Sequence, residues 1–124
     1  MKILIVDDDE SLLTIYETAL RKEGFEIVSC STGQETLGKA KEAKPNLVLL
    51  DQVLPDISGN EILKQLKQDD ETKNIPVIIL SNFSQEELVK QAIEAGAVDY
   101  IFKYQVEISD VVKKIRETLG EKKE

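Results

Sequence analysis

Short apolar runs along the chain alternate with segments whose apolar residues recur every three or four positions. The runs "KILIVD" (2–7), "FEIVSC" (25–30), "NLVLLD" (46–51), "IPVIILSN" (75–82) and "AVDYIFK" (97–103) predict strands. Between the first two, Leu12, Leu13, Tyr16, Ala19 and Leu20 fall on one face of a helix over 10–24, with Gly24 as its stop. Thr32 with Glu35, Ser58 with Glu61 and Ser84 with Glu87 have the spacing of capping boxes. Each precedes apolar residues at helical spacing: Leu37, Ala40 and Ala43, then Ile62, Leu63 and Leu66, then Leu88, Ala92 and Ile93. Val111, Val112, Ile115 and Leu119 mark a last helix, and "GEKKE" reads as a solvated tail. The expected organisation is one domain over 1–120 and a short charged tail over 121–124.

Each predicted strand is followed by a predicted helix. Residues 3–6, 47–50 and 77–80 are apolar at every position rather than at alternate ones. Strands buried on both faces look like this, as in a parallel sheet covered by helices. The fold class is therefore α/β, doubly wound. Sites in such sheets form at the carboxyl ends of strands, beside the switch in strand order.

Composition narrows the chemistry. The 124 residues suit a single domain with one sizeable core. A net charge of -8 argues against generic attraction to nucleic acid or to an anionic membrane. The apolar run of "MKILIVDDD" is too short for a signal peptide, and no stretch approaches the roughly 18 apolar residues of a membrane span. The one cysteine, Cys30, forms no intrachain disulfide and reads as a small buried hydrophobe, so a cytoplasmic location is expected. Histidine is absent, which excludes His-based triads, zinc sites of the histidine type and a phosphohistidine carrier.

The strand ends carry what chemistry there is. The first strand ends in Asp7, Asp8 and Asp9, the third in Asp51, the fourth in Ser81 and Asn82, the fifth in Lys103. If the first, third, fourth and fifth strands are neighbours, these side chains converge. Two like charges about 4 Å apart repel by roughly 4 kcal/mol at an effective dielectric of 20, so gathered carboxylates need a cation. An all-oxygen set suits a hard cation such as Mg²⁺. A carboxylate beside such an ion and an ammonium is a poor base but a competent phosphoryl acceptor.

Taken together, "IVDDD", "LVLLDQVLPDISG", "VIILSN" and "GAVDYIFK", in this order and spacing, resemble the receiver domain of two-component response regulators, the family of the bacterial chemotaxis response regulator. The resemblance covers essentially the whole chain. It implies a flavodoxin-like sheet in the order 2-1-3-4-5 with five helices. It implies that Asp51 is the phosphoacceptor, that Asp8 is the main metal-ligand carboxylate with Asp7 the second acid, and that the backbone carbonyl of Val53 joins them around Mg²⁺, for which Mn²⁺ can substitute. Pro55 and Gly59 match the turn after the acceptor strand. Ser81 matches the hydroxyl that swings to the phosphoryl group, Lys103 the lysine that pairs with it, and Tyr100 the aromatic switch coupled to that hydroxyl. The implied donor is the phosphohistidine of a sensor histidine kinase or phosphotransfer protein. The implied target is a protein that reads the face of the fourth helix, fifth strand and last helix, with dimerisation on phosphorylation as a further possibility. The domain is not an enzyme on other substrates; it catalyses its own phosphorylation and dephosphorylation.

Two positions depart from the family pattern. Tyr104 replaces the usual proline after the lysine, and a trans bond is expected there because a cis bond without proline costs about 2.5–4 kcal/mol. Asn82 stands where a small residue is common, and it either crowds the phosphoryl group or hydrogen-bonds it. These departures leave one competing reading, an interaction module of receiver shape that works without phosphorylation. Asp9 is either an N-cap or a site residue, Tyr100 either switch or core, and Glu10 favours the helix start. Val53 and Phe83 are either packing residues or the apolar walls of a dry site. "GQETLGKA" (33–40) nearly fits a phosphate-binding loop, but Ala40 replaces its hydroxyl and the segment carries its own helix cap. The last predicted helix ends close to the end of the sequence, which fits a stand-alone regulator or a piece of a larger one.

Overall fold

The computed structural model of the chain describes residues 1–82, 85–103 and 106–120. Strands and helices alternate as β1 (Lys2–Val6), α1 (Glu10–Lys22), β2 (Glu26–Cys30), α2 (Gly33–Ala43), β3 (Leu47–Asp51), α3 (Gly59–Gln68), β4 (Val77–Ser81), α4 (Glu86–Glu94), β5 (Asp99–Phe102) and α5 (Ile108–Thr118). The five strands form one parallel sheet in the order β2-β1-β3-β4-β5. No helix among the described residues is long and apolar enough to cross a membrane.

Side chains alternate across a strand, and here both faces are buried. Ile3, Ile5, Leu47, Leu49, Ile78, Leu80 and Ile101 face α1 and α5, where Leu13, Leu20, Val111 and Ile115 complete one core. Leu4, Val6, Val48, Leu50, Val77, Ile79 and Tyr100 face the opposite way, toward Ala40 of α2, Ile62 and Leu66 of α3 and Ala92 of α4. This explains the uninterrupted apolar runs, since no strand position in 3–6, 47–50 or 77–80 meets water.

The helix starts follow their caps, with one correction. Thr32 Oγ1 accepts the Glu35 N–H at 3.3 Å, and Ser58 Oγ accepts the Glu61 N–H at 3.2 Å. The expected start at Ser84 is not found: α4 is capped by Gln85, without a side-chain cap bond, and Glu87 instead accepts from Gln91 Nε2. Ser84 itself lies outside the described residues, as does the tail 121–124. The start of α5, unmarked in the sequence reading, is fixed by Asp110, whose Oδ2 accepts the Glu107 N–H at 2.9 Å. β5 begins two residues later than its apolar run, because the Ala97 N–H returns to Ala92 O and closes the end of α4. The phosphate-loop-like segment is helical throughout α2. Gly24 ends α1 with a φ of 95°, a conformation that costs other residues dearly.

Gly59 is required for a different reason. Its N–H donates to Gln52 O at 2.7 Å, and a Cβ there would sit 2.5 Å from Asp51 O and 2.8 Å from Gln52 Cα. Backbone cannot move aside as a flexible side chain can. Gly59→Ala is expected to lower the unfolding free energy by about 1–3 kcal/mol in urea titration. Gly38→Ala is the contrast: open space surrounds Gly38 inside α2, so a gain of about 0.5–1 kcal/mol is expected.

Candidate functional site

Register builds the site. The ladder pairs Val6 with Leu50, so one step further Asp7 comes beside Asp51. Asp7 shares the side-chain parity of Ile3 and Ile5, Asp51 that of Leu47 and Leu49, and Lys103 that of Ile101. All three therefore emerge on the α1–α5 side, at the carboxyl edge of the sheet. Lys103 Nζ donates to Asp7 Oδ2 at 2.9 Å and lies 3.5 Å from Asp51 Oδ1. The side chains of this pair of ion contacts are only 7–10% exposed.

Asp8 is exposed and offers a carboxylate oxygen within 4.8 Å of those of Asp7 and Asp51. Three convergent oxygens of this kind fit a hard divalent cation better than a soft one. The acids line a cleft of about 310 Å³ together with Leu12, Val53, Asn82 and Lys103. Asp7 is held in turn by the Asp9 N–H, which donates to Asp7 Oδ1 at 3.0 Å. Asp9 serves as the N-cap of α1, its Oδ1 accepting the Leu12 N–H at 3.2 Å, and it also stands on the cleft rim. Glu10 lies in the first turn of α1, as expected.

Electrostatics distinguish the groups. Burial pushes the Asp51 carboxyl up to about 6, against the pull of Lys103 and with a further push from Asp7. Burial also works against the Lys103 ammonium, but its hydrogen bond to Asp7 and the charges of Asp51 and Asp7 outweigh this and raise its pKa. The ammonium sits closer to Asp7 than to Asp51, which is why Asp51 remains poorly compensated.

The remaining expected residues divide. Ser81 ends β4 and is fully buried, paired in register with Phe102, the residue before Lys103. Asn82 is exposed at the cleft. Val53 is on the cleft rim and 49% exposed, so it is not a buried packing residue. Tyr100 is only 8% exposed and lies on the opposite face of the sheet from the acids, stacked edge-on against Phe102 with ring centroids 5.6 Å apart. Cys30 is buried, its Sγ 3.6 Å from Thr36 Oγ1. Phe83 and Tyr104 lie outside the described residues; among the described ones no peptide bond is cis.

Two features went unread in the sequence. Asp56 accepts the Gly33 and Gln34 N–H groups at 2.9 and 2.7 Å, so the loop after β3 caps α2, and these bonds hold its carboxyl below the usual range. Gln52 and Asn60 are buried beneath the cleft and hydrogen-bonded to each other. Asn60 carried a signal: it lies three residues before Leu63, on the buried face of α3.

A profile of the response regulator receiver domain matches residues 3–116. The polar-differentiation response regulator DivK of Brucella anthropi is 32% identical over 119 residues, covering 96% of this chain and 96% of DivK. The alkaline phosphatase synthesis transcriptional regulatory protein PhoP of Bacillus subtilis is 38% identical over 102 residues, which is 82% of this chain but 42% of PhoP. The chain thus spans less than half the length of that relative. A CheY-like response regulator receiver domain protein from Methanospirillum hungatei superposes with a TM-score of 0.90 at 34% identity, covering 96% of this chain and 93% of that one.

The raised Asp51 pKa sets a pH dependence. Between 3.8 and about 6 the folded chain holds a proton that the unfolded chain has released. Stability fully present below the lower value is therefore lost as pH rises through the upper one. In chelator-treated buffer at about pH 7.5, Asp51→Asn is expected to raise the unfolding free energy by on the order of 1–3 kcal/mol, a gain that shrinks to near zero below about pH 4. Urea titrations across that range check it.

Proposed function

This chain belongs to the response regulator receiver domain family of two-component signalling, and on that premise we propose that Asp51 accepts a phosphoryl group from the phosphohistidine of a sensor histidine kinase or phosphotransfer protein. The observation that carries this reading is one ammonium, Lys103 Nζ, bridging two buried acids, Asp7 and Asp51, beside the exposed carboxylate of Asp8. A merely structural lysine needs one acid; here a surplus of negative charge is held in a cleft open to solvent.

Asp51 presents an oxygen to the phosphorus, and the phosphorus–nitrogen bond of the donor breaks as the new bond forms. Its charge is poorly solvated, which keeps a weak nucleophile reactive. Asp7, Asp8, Asp51 and the backbone carbonyl of Val53 would hold Mg²⁺ or Mn²⁺, and the ion when bound neutralises charge on the phosphoryl oxygens. Lys103 supplies a further positive charge at the same edge, and Asn82 an amide at the cleft mouth. Ser81 follows the phosphoryl group, and Tyr100, on the other face of the sheet, reports that movement to a protein target at α4, β5 and α5. The exposed flank of Val53 leaves a path for the water that later hydrolyses the acyl phosphate.

Asp51→Asn is expected to abolish labelling by acetyl phosphate with Mg²⁺; persistent stoichiometric labelling would sink the assignment. Beryllofluoride with Mg²⁺ should shift resonances of Ser81 and Tyr100, and a silent titration would favour an interaction module independent of phosphorylation. Val53→Asn or Val53→Glu should change the rate of phosphate loss from the labelled protein, because the side chain is half-exposed on the rim of the cleft that holds Asp51.

A further inference from the structure

Behind the acidic cleft lies a second polar cluster. Gln52 is 2% and Asn60 5% exposed, both in positions otherwise surrounded by the α2–α3–α4 core. Buried amides are tolerated only when their hydrogen-bonding capacity is met. Here every side-chain N–H of the two amides has an acceptor and each oxygen has a donor. Gln52 Oε1 accepts the Asn60 N–H at 3.0 Å, and Gln52 Nε2 donates to Asn60 Oδ1 at 3.0 Å and to Tyr100 Oη at 3.4 Å. Asn60 Nδ2 donates to Leu88 O at 3.2 Å and to Gln91 Oε1 at 3.5 Å. The last two acceptors belong to α4, and Tyr100 to β5. Turning either amide over would set donor against donor, so the arrangement has one orientation.

Among the described residues, the helix at the far end of this network is lightly held, with Val89 packed only partly buried against the core. Ala92 is the one residue of α4 that is buried, and its N-cap makes no side-chain bond. Few buried apolar contacts mark a segment that opens readily. The amide from Asn60 is thus a substantial part of what seats α4 on the sheet.

We propose that Gln52 and Asn60 form an amide clamp that holds Tyr100 inward and α4 seated before any phosphoryl group arrives, making them positioning residues that couple the Asp51 strand to the α4–β5 face. The proposal rests on the reading of Asp51 as the acceptor, whose next residue is Gln52. Its consequence is a regulator already biased toward the inward arrangement of Tyr100, so that phosphorylation completes a shift rather than starting one.

Relaxation dispersion on ¹³C-labelled aromatic rings reads the outward population of residue 100, against the Phe102 ring 5.6 Å away in the inward state. Two variants test the clamp without phosphate or metal. Gln52→Met with Asn60→Leu removes both amides together, which avoids orphaning one of them. Tyr100→Phe removes only the hydroxyl and leaves both amides in place. In each, the outward-to-inward ratio is expected to rise about fivefold, the worth of one net hydrogen bond. In the double variant, α4 amides should also exchange faster with solvent. Ring populations unchanged in Tyr100→Phe overturn the proposal, whether or not the double variant folds. Because no step needs phosphorylation, loss of beryllofluoride binding would count against the acceptor reading alone, and unchanged rings against the clamp alone.

Discussion

One ammonium group holds the carboxyl edge of this sheet together. Lys103 Nζ meets Asp7 at 2.9 Å and Asp51 at 3.5 Å in a setting where all three side chains are at most a tenth exposed. Removing Lys103 from such a buried set would leave two acids without compensation, which is far more costly than the pair is stabilising. Yet one positive charge cannot satisfy two buried acids and a third nearby, and the structure distributes the shortfall unevenly. Asp7 takes the short contact and the Asp9 N–H, and Asp51 is left with its pKa raised to about 6. Burial is the larger cause of that rise, and Lys103 at 3.5 Å offsets it only in part.

The same edge depends on backbone packing behind it. Asp51 and Gln52 are overlaid by the N-terminus of α3 at Gly59, where a single methyl would strike main chain. The loop between them turns back to cap α2 through Asp56. So the segment from Asp51 to Asp56 is fastened by groups outside the cleft, and the site's geometry does not rely on its own weak contacts.

The fold was legible because its signals were redundant. Continuous apolar runs at 3–6, 47–50 and 77–80 left no polar face for solvent, and capping residues at Thr32 and Ser58 marked helix starts that the structure keeps. Where only one signal was present, it misled. Ser84 and Glu87 have the right spacing, but α4 runs from Glu86 with Gln85 as its cap, and Ala97 falls in an apolar run although its N–H is spent on the helix end. The converging residues at strand ends were legible because parallel register carries them to one edge. The Gln52–Asn60 pair was not, because it is a match between two amides that a one-dimensional pattern cannot contain. Gln52 alone reads as a loop polar group and Asn60 as a residue on the inner face of a helix; only the fold places them within 3.0 Å.

Strand alternation gives that pair its significance. Asp51 and Gln52 are neighbours in sequence and so project to opposite faces of the sheet. Asp51 joins Asp7 and Lys103 on the α1–α5 side, and Gln52 joins Asn60, Tyr100 and α4 on the other. The two side chains are therefore joined by a single peptide unit, and the carbonyl of the unit after it, Gln52 O, is fixed by the Gly59 N–H. A residue's slip in register would exchange the two faces, burying the amide among the acids and the carboxylate in the α3–α4 core. The parallel ladder that holds Val6 against Leu50 and Ser81 against Phe102 forbids that slip. The acid cluster and the Gln52–Asn60–Tyr100 network are thus separated by the sheet and joined by one peptide unit of the chain.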